Sequence, residues 1–484
     1  MNKKTDGHKA LKAVSGGAIL RTLRYPFVML SMAVIPRMMG DDRYGEYAYY
    51  MSVFLVLDIF SDIGFIQILG RFVPECMVQG DRQRIRDLLH CNFIFGLLIT
   101  SLLIAGLHIY TSFWEIPRFP QEWVIIMSLQ LLFTQIEGIL FSFVYSLNEI
   151  ERYSLKEVYR SLFTFVLVFV MYLNFGITGA LWGLVLNSTA LSLIAISWVW
   201  PYLIEKPVHI NWSFFKPYLI FGIQFYIPSF FYGMLQRSGN IFVRWLTDSS
   251  PEVAYYDIAN QFQILLSSFL GLILATLIPS LTQLHVSNEQ ERIDQWQGKA
   301  LTYCLIIAVL AFNTLIWCGD FVIQLVFGTE FTPVYANAIV SMLAMVAVLL
   351  STVGMNYALL KKEPGIYIKG VSLGLIAMVA GCIVFIPRWH SIGASWATLI
   401  GYCTLGAYFM FRYRQHFSTM FKPVAKVLLA GAILAPAYVL KGTINLSACI
   451  AATVLSSILF VALLFITRTI TRDDATHLLH AFKK

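Results

Sequence analysis

Residues 334–360 read VYANAIVSMLAMVAVLLSTVGMNYALL and contain no Asp, Glu, Lys or Arg. A helix of about 20 mostly apolar residues crosses the hydrocarbon core of a bilayer, so this stretch is predicted to span a membrane. The rest of the chain is similar, because only 13% of the 484 residues are charged and 58% are apolar. Soluble domains have about 25% charged residues. This composition excludes a soluble, disordered or nucleic-acid-binding protein.

Outward from that stretch, the sequence divides into apolar segments separated by breaks rich in Gly, Pro, Asn, Asp or charge. Fourteen such segments are long enough to be spans. The sequence therefore predicts an all-α integral membrane protein with about fourteen transmembrane helices. The segments are 13–38, 44–71, 88–112, 121–147, 158–175, 177–200, 217–244, 253–284, 298–327, 334–360, 365–387, 391–411, 423–440 and 444–467.

The basic residues fix a predicted orientation. With the N-terminus in the cytosol, 26 Lys and Arg lie at cytosolic breaks and only 6 at outer breaks. The positive-inside rule therefore predicts that both termini are cytosolic. The breaks at 40–43, 113–120 and 387–391 are then expected on the outer side.

The sequence offers no sign of catalysis. It contains no Walker A, HExxH, GxSxG or Rossmann motif, and no break is long enough to form a domain. The seven cysteines form no CxxC pair and lie mostly within apolar runs, as buried small hydrophobic residues do. We therefore expect no enzyme, no cofactor and no metal site, and transport across the membrane becomes the default function.

Two segments of the chain resemble each other. GEYAYY at 45–50 matches PEVAYY at 251–256, and Arg84-Ile85 matches Arg292-Ile293. The offsets are 206 and 208 residues, which correspond to six spans. Because six is even, the two halves have the same orientation, as in transporters with parallel repeats.

The repeat predicts two parallel six-helix lobes around a central cavity, followed by two extra helices. The predicted divisions are an N-terminal lobe at 1–204, a linker at 205–216, a C-terminal lobe at 217–415, and the extra spans with a cytosolic tail at 416–484. The first span of each lobe contains a proline, Pro26 or Pro228. Proline interrupts a helix, so both are candidate hinges beside a transport path, or packing kinks without function.

RYGEYAYY at 43–50, DIGF at 62–65 and RFVPE at 71–75 carry a family resemblance. They resemble the polysaccharide biosynthesis flippases, the O-antigen-type branch of the multidrug/oligosaccharidyl-lipid/polysaccharide exporter superfamily. The resemblance extends over the whole chain in length and span number. It implies export of an undecaprenyl-pyrophosphate-linked oligosaccharide, an O-antigen or other surface-polysaccharide unit, to the outer leaflet of the bacterial inner membrane. The expected mechanism is alternating access through a cationic central cavity.

The same resemblance implies several partners. They are the lipid-linked oligosaccharide, the membrane lipids, and the polysaccharide polymerase and chain-length machinery of lipopolysaccharide synthesis. Two alternatives remain open. A multidrug exporter of the same superfamily would place acidic residues in its cavity, and a membrane polymerase or ligase would be expected to have a large outer loop.

Charged residues within the predicted spans are the candidate substrate ligands, because an ionisable group inside a bilayer is costly and usually functional. Arg21 and Arg24 share one helix face. Arg237, Asn240 and Arg244 form a stripe near the outer end of span 7. Arginine presents a planar fork of donors to phosphate oxygens, so these five residues are predicted to bind a pyrophosphate.

Carboxylates in the spans have two interpretations. In a hairpin turning near residue 41, Asp58 lies at the depth of Arg24, and Asp62 lies at the depth of Arg21. These pairs either hold the hairpin together or open to the substrate, and the sequence leaves both interpretations open. Glu137 and Asp257 are candidates for carrying a coupling proton or cation, with a structural or solvated role as the alternative.

Overall fold

The computed structural model describes residues 22–114, 119–205, 210–434, 446–467 and 469, and these residues are almost entirely helical. The chain divides into two compact units, residues 1–241 and 242–484. The first unit contains α1 (Arg24–Ser61), α2 (Phe65–Gln79), α3 (Arg82–Phe113), α4 (Gln121–Ser146), α5 (Ile150–Ile204) and α6 (Trp212–Arg237).

A short helix, α7 (Gly239–Thr247), includes the boundary between the units. The second unit continues with α8 (Ser250–Thr276), α9 (Ile278–Val286), α10 (Gln290–Phe327), a 3-10 turn (Thr329–Phe331), α11 (Val334–Leu360), α12 (Pro364–Arg412), α13 (Arg414–Leu434) and α14 (Leu446–Ile466). The all-helical membrane fold expected from the sequence is confirmed.

Nine of the described helices are long and apolar enough to cross a membrane, or ten if the bent pair α1 and α2 is one span. The two longest, α5 and α12, have 55 and 49 residues, enough for two crossings each. Within the described residues, the predicted segments fall on single helices, on halves of the longest helices, or on two consecutive helices, as 253–284 does on α8 and α9. Residues 13–21, 435–440 and 444–445 of these segments lie outside the described residues. Helix α5 begins at Ile150, eight residues before the predicted segment at 158.

Helix α5 is a hairpin that folds back at Gly176, where φ is 63° and ψ is −148°. Asn187 donates a hydrogen bond to Thr164 across the hairpin at 2.9 Å. A Cβ atom on Gly183 would lie only 2.9 Å from the backbone of Leu167, so glycine allows the two halves to touch. The predicted break at 175–178 is therefore a turn between two antiparallel helices.

Helix α12 repeats this construction in the second unit. It folds back at His390, where φ is 51° and ψ is −130°. A Cβ on Gly381 would lie 3.0 Å from Ala397 across this second hairpin. Positions with positive φ favour glycine, so His390 occupies a strained conformation that its counterpart Gly176 adopts at low cost.

Positive φ angles mark the repeat in the backbone. Gly40 and Asp248 are 208 residues apart, as are Gly80 and Asn288. Later in each half, Asn148 and Lys362 are 214 residues apart, as are Gly176 and His390. The offset agrees with the one predicted from sequence and grows by six residues between the second and third pairs.

The turns at Gly80, Asn148, Asn288 and Lys362 share one design. Each left-handed residue ends a helix and is followed at once by an Asp or Glu that begins the next. The acid's backbone N–H reaches back five residues, as Glu149 does to Val144 and Glu363 does to Ala358. This is the Schellman helix ending, and an acid at a helix start is favoured by the helix dipole.

The predicted division of the chain at 205–216 stays a prediction. In the structure the first compact unit runs on to residue 241, and α6 packs on α1 and α2. Gly64 of the DIGF motif makes that contact possible. Its φ is +95°, and a Cβ there would lie 2.4 Å from the carbonyl carbon of Gly222 on α6.

Candidate functional site

A group of charged side chains lies inside the first unit, where α1, α4 and α5 pack together. We name it the acid–base cluster. Its members are Arg24, Asp58, Glu137, Lys156, Glu157 and Arg160. Three are basic and three are acidic, so the cluster is balanced in charge. This differs from the cationic lining that the family resemblance implies.

Arg160 and Glu137 form the central ion pair of the cluster. The Nη2 group of Arg160 donates to Oε1 of Glu137. The Glu137 side chain is only 1% exposed, whereas the Arg160 side chain is 41% exposed. Among the described residues, neither Oε2 of Glu137 nor Nε of Arg160 has a hydrogen-bond partner. The guanidinium therefore keeps donor capacity beyond its ion pair.

Arg24 forms the second ion pair, and its partner corrects the sequence prediction. Its Nη1 lies 2.9 Å from Oε2 of Glu157, so Arg24 pairs with α5 and not with Asp58. Equal depth in a hairpin does not fix the direction in which a side chain points around its helix. The matching pair of Arg21 with Asp62 concerns Arg21, which lies outside the described residues.

Lys156 is the most enclosed base of the cluster. Its ammonium lies 5.1 Å from the ring centre of Phe141 and 5.5 Å from that of Tyr153, which are cation–π distances. Asp58 lies within electrostatic range of both Lys156 and Arg160. Asp62 ends α1, and its Oδ1 accepts the backbone N–H of Ile66 at 3.3 Å, which caps α2.

The sequence analysis missed three members of the cluster, Lys156, Glu157 and Arg160. The positive-inside count assigns Lys156 and Arg160 to a cytosolic break, and Glu157 precedes the predicted segment that starts at 158. The signal was present, since Asn-Glu at 148–149 is a helix-ending and helix-starting pair like those at 80–81 and 288–289. Moving the helix start to 150 brings all three residues into its first three turns.

The outer stripe predicted on span 7 is split by a break between α6 and α7. Arg237 ends α6 and is half-buried. Asn240 is buried and donates to the hydroxyl of Ser52 on α1 at 2.7 Å. Arg244, in the second unit, is buried and donates to Ser250 at 2.8 Å. Substrate binding by these residues stays a prediction, and the last two make structural contacts.

The remaining candidates lie in separate places. Asp257, in the second unit, accepts a hydrogen bond from Gln261 one turn later. Pro26 lies in the first turn of α1 and is exposed, while Pro228 is buried in α6, which stays helical through it. Their roles as hinges stay predictions.

No group of three or more His, Cys, Asp or Glu within the described ranges has metal-binding geometry. The cluster contains arginine forks and carboxylates but no nucleophile beside a base. Its chemistry suits the reversible binding of an ion.

Known proteins resemble this chain in both sequence and fold. A model of the family described as "Polysaccharide biosynthesis protein" matches residues 12–285. The probable low-salt glycan biosynthesis flippase Agl15 of Haloferax volcanii is 22% identical over 181 residues. That match spans 35% of this chain and 38% of the length of the relative.

Three solved structures share the fold at 14% identity. The lipid II flippase MurJ has a TM-score of 0.68 over 94% of this chain and 99% of its own. A multidrug resistance MATE family transporter of the MOP superfamily has a TM-score of 0.66, covering 85% and 99% of the two chains. A MOP superfamily transporter from Pyrococcus furiosus has a TM-score of 0.53 over 85% and 96%.

At this identity the structural likenesses establish the fold alone. The family match carries more, because residues 12–285 are more than half of the 484-residue chain. The chain belongs to the polysaccharide biosynthesis protein family and is a multi-pass membrane protein with the fold of MOP-superfamily transporters.

Proposed function

We propose that the protein is a flippase that moves an undecaprenyl-pyrophosphate-linked oligosaccharide from the inner to the outer leaflet of a bacterial inner membrane by alternating access. Family membership and the flippase relative support the general activity. The observation that carries the pyrophosphate assignment is Arg160. Its side chain is 41% exposed and Glu137 holds only its Nη2 end, while the buried Nε has no partner among the described residues.

The arginines of the cluster can exchange their carboxylate partners for a pyrophosphate without leaving a charge unpaired. A pyrophosphate oxygen accepts N–H donors in the same bidentate geometry as a carboxylate. The partly exposed guanidiniums of Arg160 and Arg24 would contact the substrate first. Lys156, buried against aromatic rings, stays near enough to balance Glu137 and Glu157 while the arginines turn. An inside-negative potential favours outward movement of the anion by ~2.3 kcal/mol per charge per 100 mV.

The test compares Arg160→Ala with Arg152→Ala in a strain that lacks the chromosomal gene. Arg152 lies on the same helix, pairs with Glu149 at the surface and serves as the matched control. We expect Arg160→Ala to trap lipid-linked oligosaccharide on the inner leaflet at normal protein level, and Arg152→Ala to export it like the unchanged protein. Arg160→Lys should keep part of the export, because it keeps charge but loses the fork. Normal export by Arg160→Ala would refute the assignment.

One observation favours a second candidate, a cation-coupled multidrug exporter. The cluster contains as many acids as bases, and Asp62 adds a further carboxylate one turn beyond Asp58. Growth of the same strains with cationic dyes and antibiotics separates the two. Resistance that depends on Asp58 or Glu137, with unchanged surface polysaccharide, would favour the exporter.

A further inference from the structure

A cavity of about 570 Å³ lies in the second unit, away from the acid–base cluster. One wall is a single face of α10, and the opposite wall is α13. Thr469, just beyond α14, borders it as well. Neither the proposed transport function nor the sequence analysis assigns it a role.

Three exposed polar side chains line the α10 wall in a row. Glu291, Gln295 and Lys299 follow one another every four residues, so they lie above one another on one helix face. The row presents a carboxylate, an amide and an ammonium in order. Such an order is complementary to a molecule with a cationic amine at one end and an anionic phosphate at the other.

Behind this row the wall is held rigidly. Asp294 accepts hydrogen bonds from Tyr357 at 2.7 Å and from Nδ1 of His416 at 3.0 Å. Lys361 donates to Nε2 of the same imidazole at 3.0 Å, which leaves the ring proton on Nδ1. These contacts join α10, α11 and α13. Asp294 is therefore committed to the wall, and Glu291 is the acid that remains for a ligand.

The residues of α10 that line the cavity extend along that helix from a charged end. Glu291 lies in the first turn of α10, at an end that the positive-inside pattern assigns to the cytosol. Tyr303 lies twelve residues further on, ~18 Å deeper at 1.5 Å per residue. Helical side chains lean towards the N-terminus, so Lys299 extends towards the opening. Met420 and Pro423 form part of the α13 wall.

We propose that this cavity binds an inner-leaflet phospholipid with a zwitterionic primary-amine headgroup, phosphatidylethanolamine. Glu291 accepts hydrogen bonds from the ammonium, Lys299 binds the phosphate, and Gln295 contacts both. A primary ammonium donates hydrogen bonds, whereas the quaternary ammonium of phosphatidylcholine has no N–H to donate. The site therefore distinguishes the two headgroups, although both are zwitterionic.

The test measures lipid binding by the full-length protein after delipidation in detergent. Phosphatidylethanolamine, phosphatidylcholine and phosphatidylglycerol are added separately, and Kd is read from native mass spectra. We expect phosphatidylethanolamine to bind at least about tenfold more tightly than the others, and Glu291→Gln or Lys299→Met to remove about tenfold, since each loses a charge-assisted bond. Arg292→Ala is the matched control, because Arg292 neighbours Glu291 but pairs with Glu289 at the surface.

Two results with the lipids themselves would overturn the proposal, and a third comes from a soluble competitor. One is equal binding of phosphatidylcholine or phosphatidylglycerol, and the other is unchanged phosphatidylethanolamine affinity in the Glu291→Gln/Lys299→Met double variant. Water-soluble glycerophosphoethanolamine is added as a competitor. Competition at the concentration of the lipid itself would assign the site to a free headgroup and overturn the assignment to a lipid. Binding is measured without export, so the outcome is independent of the proposed transport function.

Discussion

The two helical hairpins, α5 and α12, share a backbone design and differ in what they carry. Lys156 and Arg160 of α5 correspond, 214 residues later, to Gly370 and Gly374 of α12. A Cβ on Gly370 would lie 2.9 Å from the Tyr408 ring, so close packing fills the space that charges occupy in the first unit. The fold therefore forms without charge at these positions, and its architecture does not require the acid–base cluster.

The N-terminal ends of α3 and α10 show the opposite asymmetry. Asp87 accepts from Gln83 at 3.0 Å, and Asp294 accepts from Gln290 at 3.0 Å, so each helix has this local bond, although its offset of 207 residues is one residue out of the repeat register. Only Asp294 is also bonded to His416, on the additional helix α13. The two units thus carry their polar contacts in different places, the first where α1, α4 and α5 pack together and the second at the N-terminal end of α10.

The largest effect that would test this comparison is the loss of Glu137. Glu137→Ala leaves Arg160 without its partner. A fully buried pair would lose ~3–5 kcal/mol, and the partial exposure of Arg160 reduces this to about 2 kcal/mol. Ser351, 214 residues later, is the matched position, and Ser351→Ala should change stability by less than about 0.5 kcal/mol. Thermal unfolding in detergent, followed by dye labelling of buried cysteines such as Cys91, measures both.

A double variant then separates packing from transport. Replacing both Glu137 and Arg160 by Met removes the pair without stranding a charge, so stability should return to near that of the unchanged protein. Export should stay lost, because the guanidinium of Arg160 is absent and Arg24 alone cannot replace it. Recovery of both export and stability would show that the pair is purely structural. The first unit would then resemble the second in needing no charge at these positions for function.

A smaller effect is expected from the Arg24–Glu157 pair, which is partly exposed at 31% and 24%. Single changes, Arg24→Glu or Glu157→Arg, should cost about 1 kcal/mol and lower the protein level. The swapped double variant should restore the level, because attraction does not depend on which helix carries which sign. If Arg24 also binds pyrophosphate, export stays low. Full export by the swapped protein would remove Arg24 from the substrate site.

The smallest expected effect concerns the turns of the two hairpins, Gly176 in α5 and His390 in α12. His390→Gly should stabilise the protein by about 1 kcal/mol, since the substitution removes a strained positive φ. The reciprocal change, Gly176→Ala, should destabilise it by about the same amount. Unfolding temperatures of the two variants check both signs. A His390→Gly variant less stable than the unchanged protein would mean that the His390 side chain makes a contact worth more than its strain.

The spans and their breaks were predictable because they depend on local properties. Apolar length sets a crossing, and residues such as Gly40 and Gly176 mark the turns. The His390 turn was located only by its flanking Pro387 and Arg388, since histidine is not a turn residue. The repeat was visible in two short matches, and the backbone extends it to four pairs of turns.

The acid–base cluster was only partly predictable. The sequence identified Arg24, Asp58 and Glu137 as intramembrane charges but not their partners. The partner of Arg24 is 133 residues away, on a helix whose rotation depends on packing of the whole unit. A spacing argument gives depth along the membrane normal and no angle around the helix axis. The other three members, Lys156, Glu157 and Arg160, were not identified, because the predicted span 5 begins at 158 and the positive-inside count assigns both bases to a cytosolic break.

The α5 hairpin also bears on the order in which the protein is made. Near its turn, the contacts between its two halves join residues close in sequence, such as Thr164 and Asn187, which are 23 apart, and contacts this local form early. When α5 leaves the ribosome, Arg24 and Glu137 are already in the membrane, because both precede it in the chain. A ribosome adding about 5–20 residues per second then needs roughly 15–60 s to complete the remainder. The Arg24–Glu157 and Arg160–Glu137 ion pairs can form during that interval. The charges of α5, which would be costly on an isolated helix, therefore enter the bilayer next to residues of opposite charge.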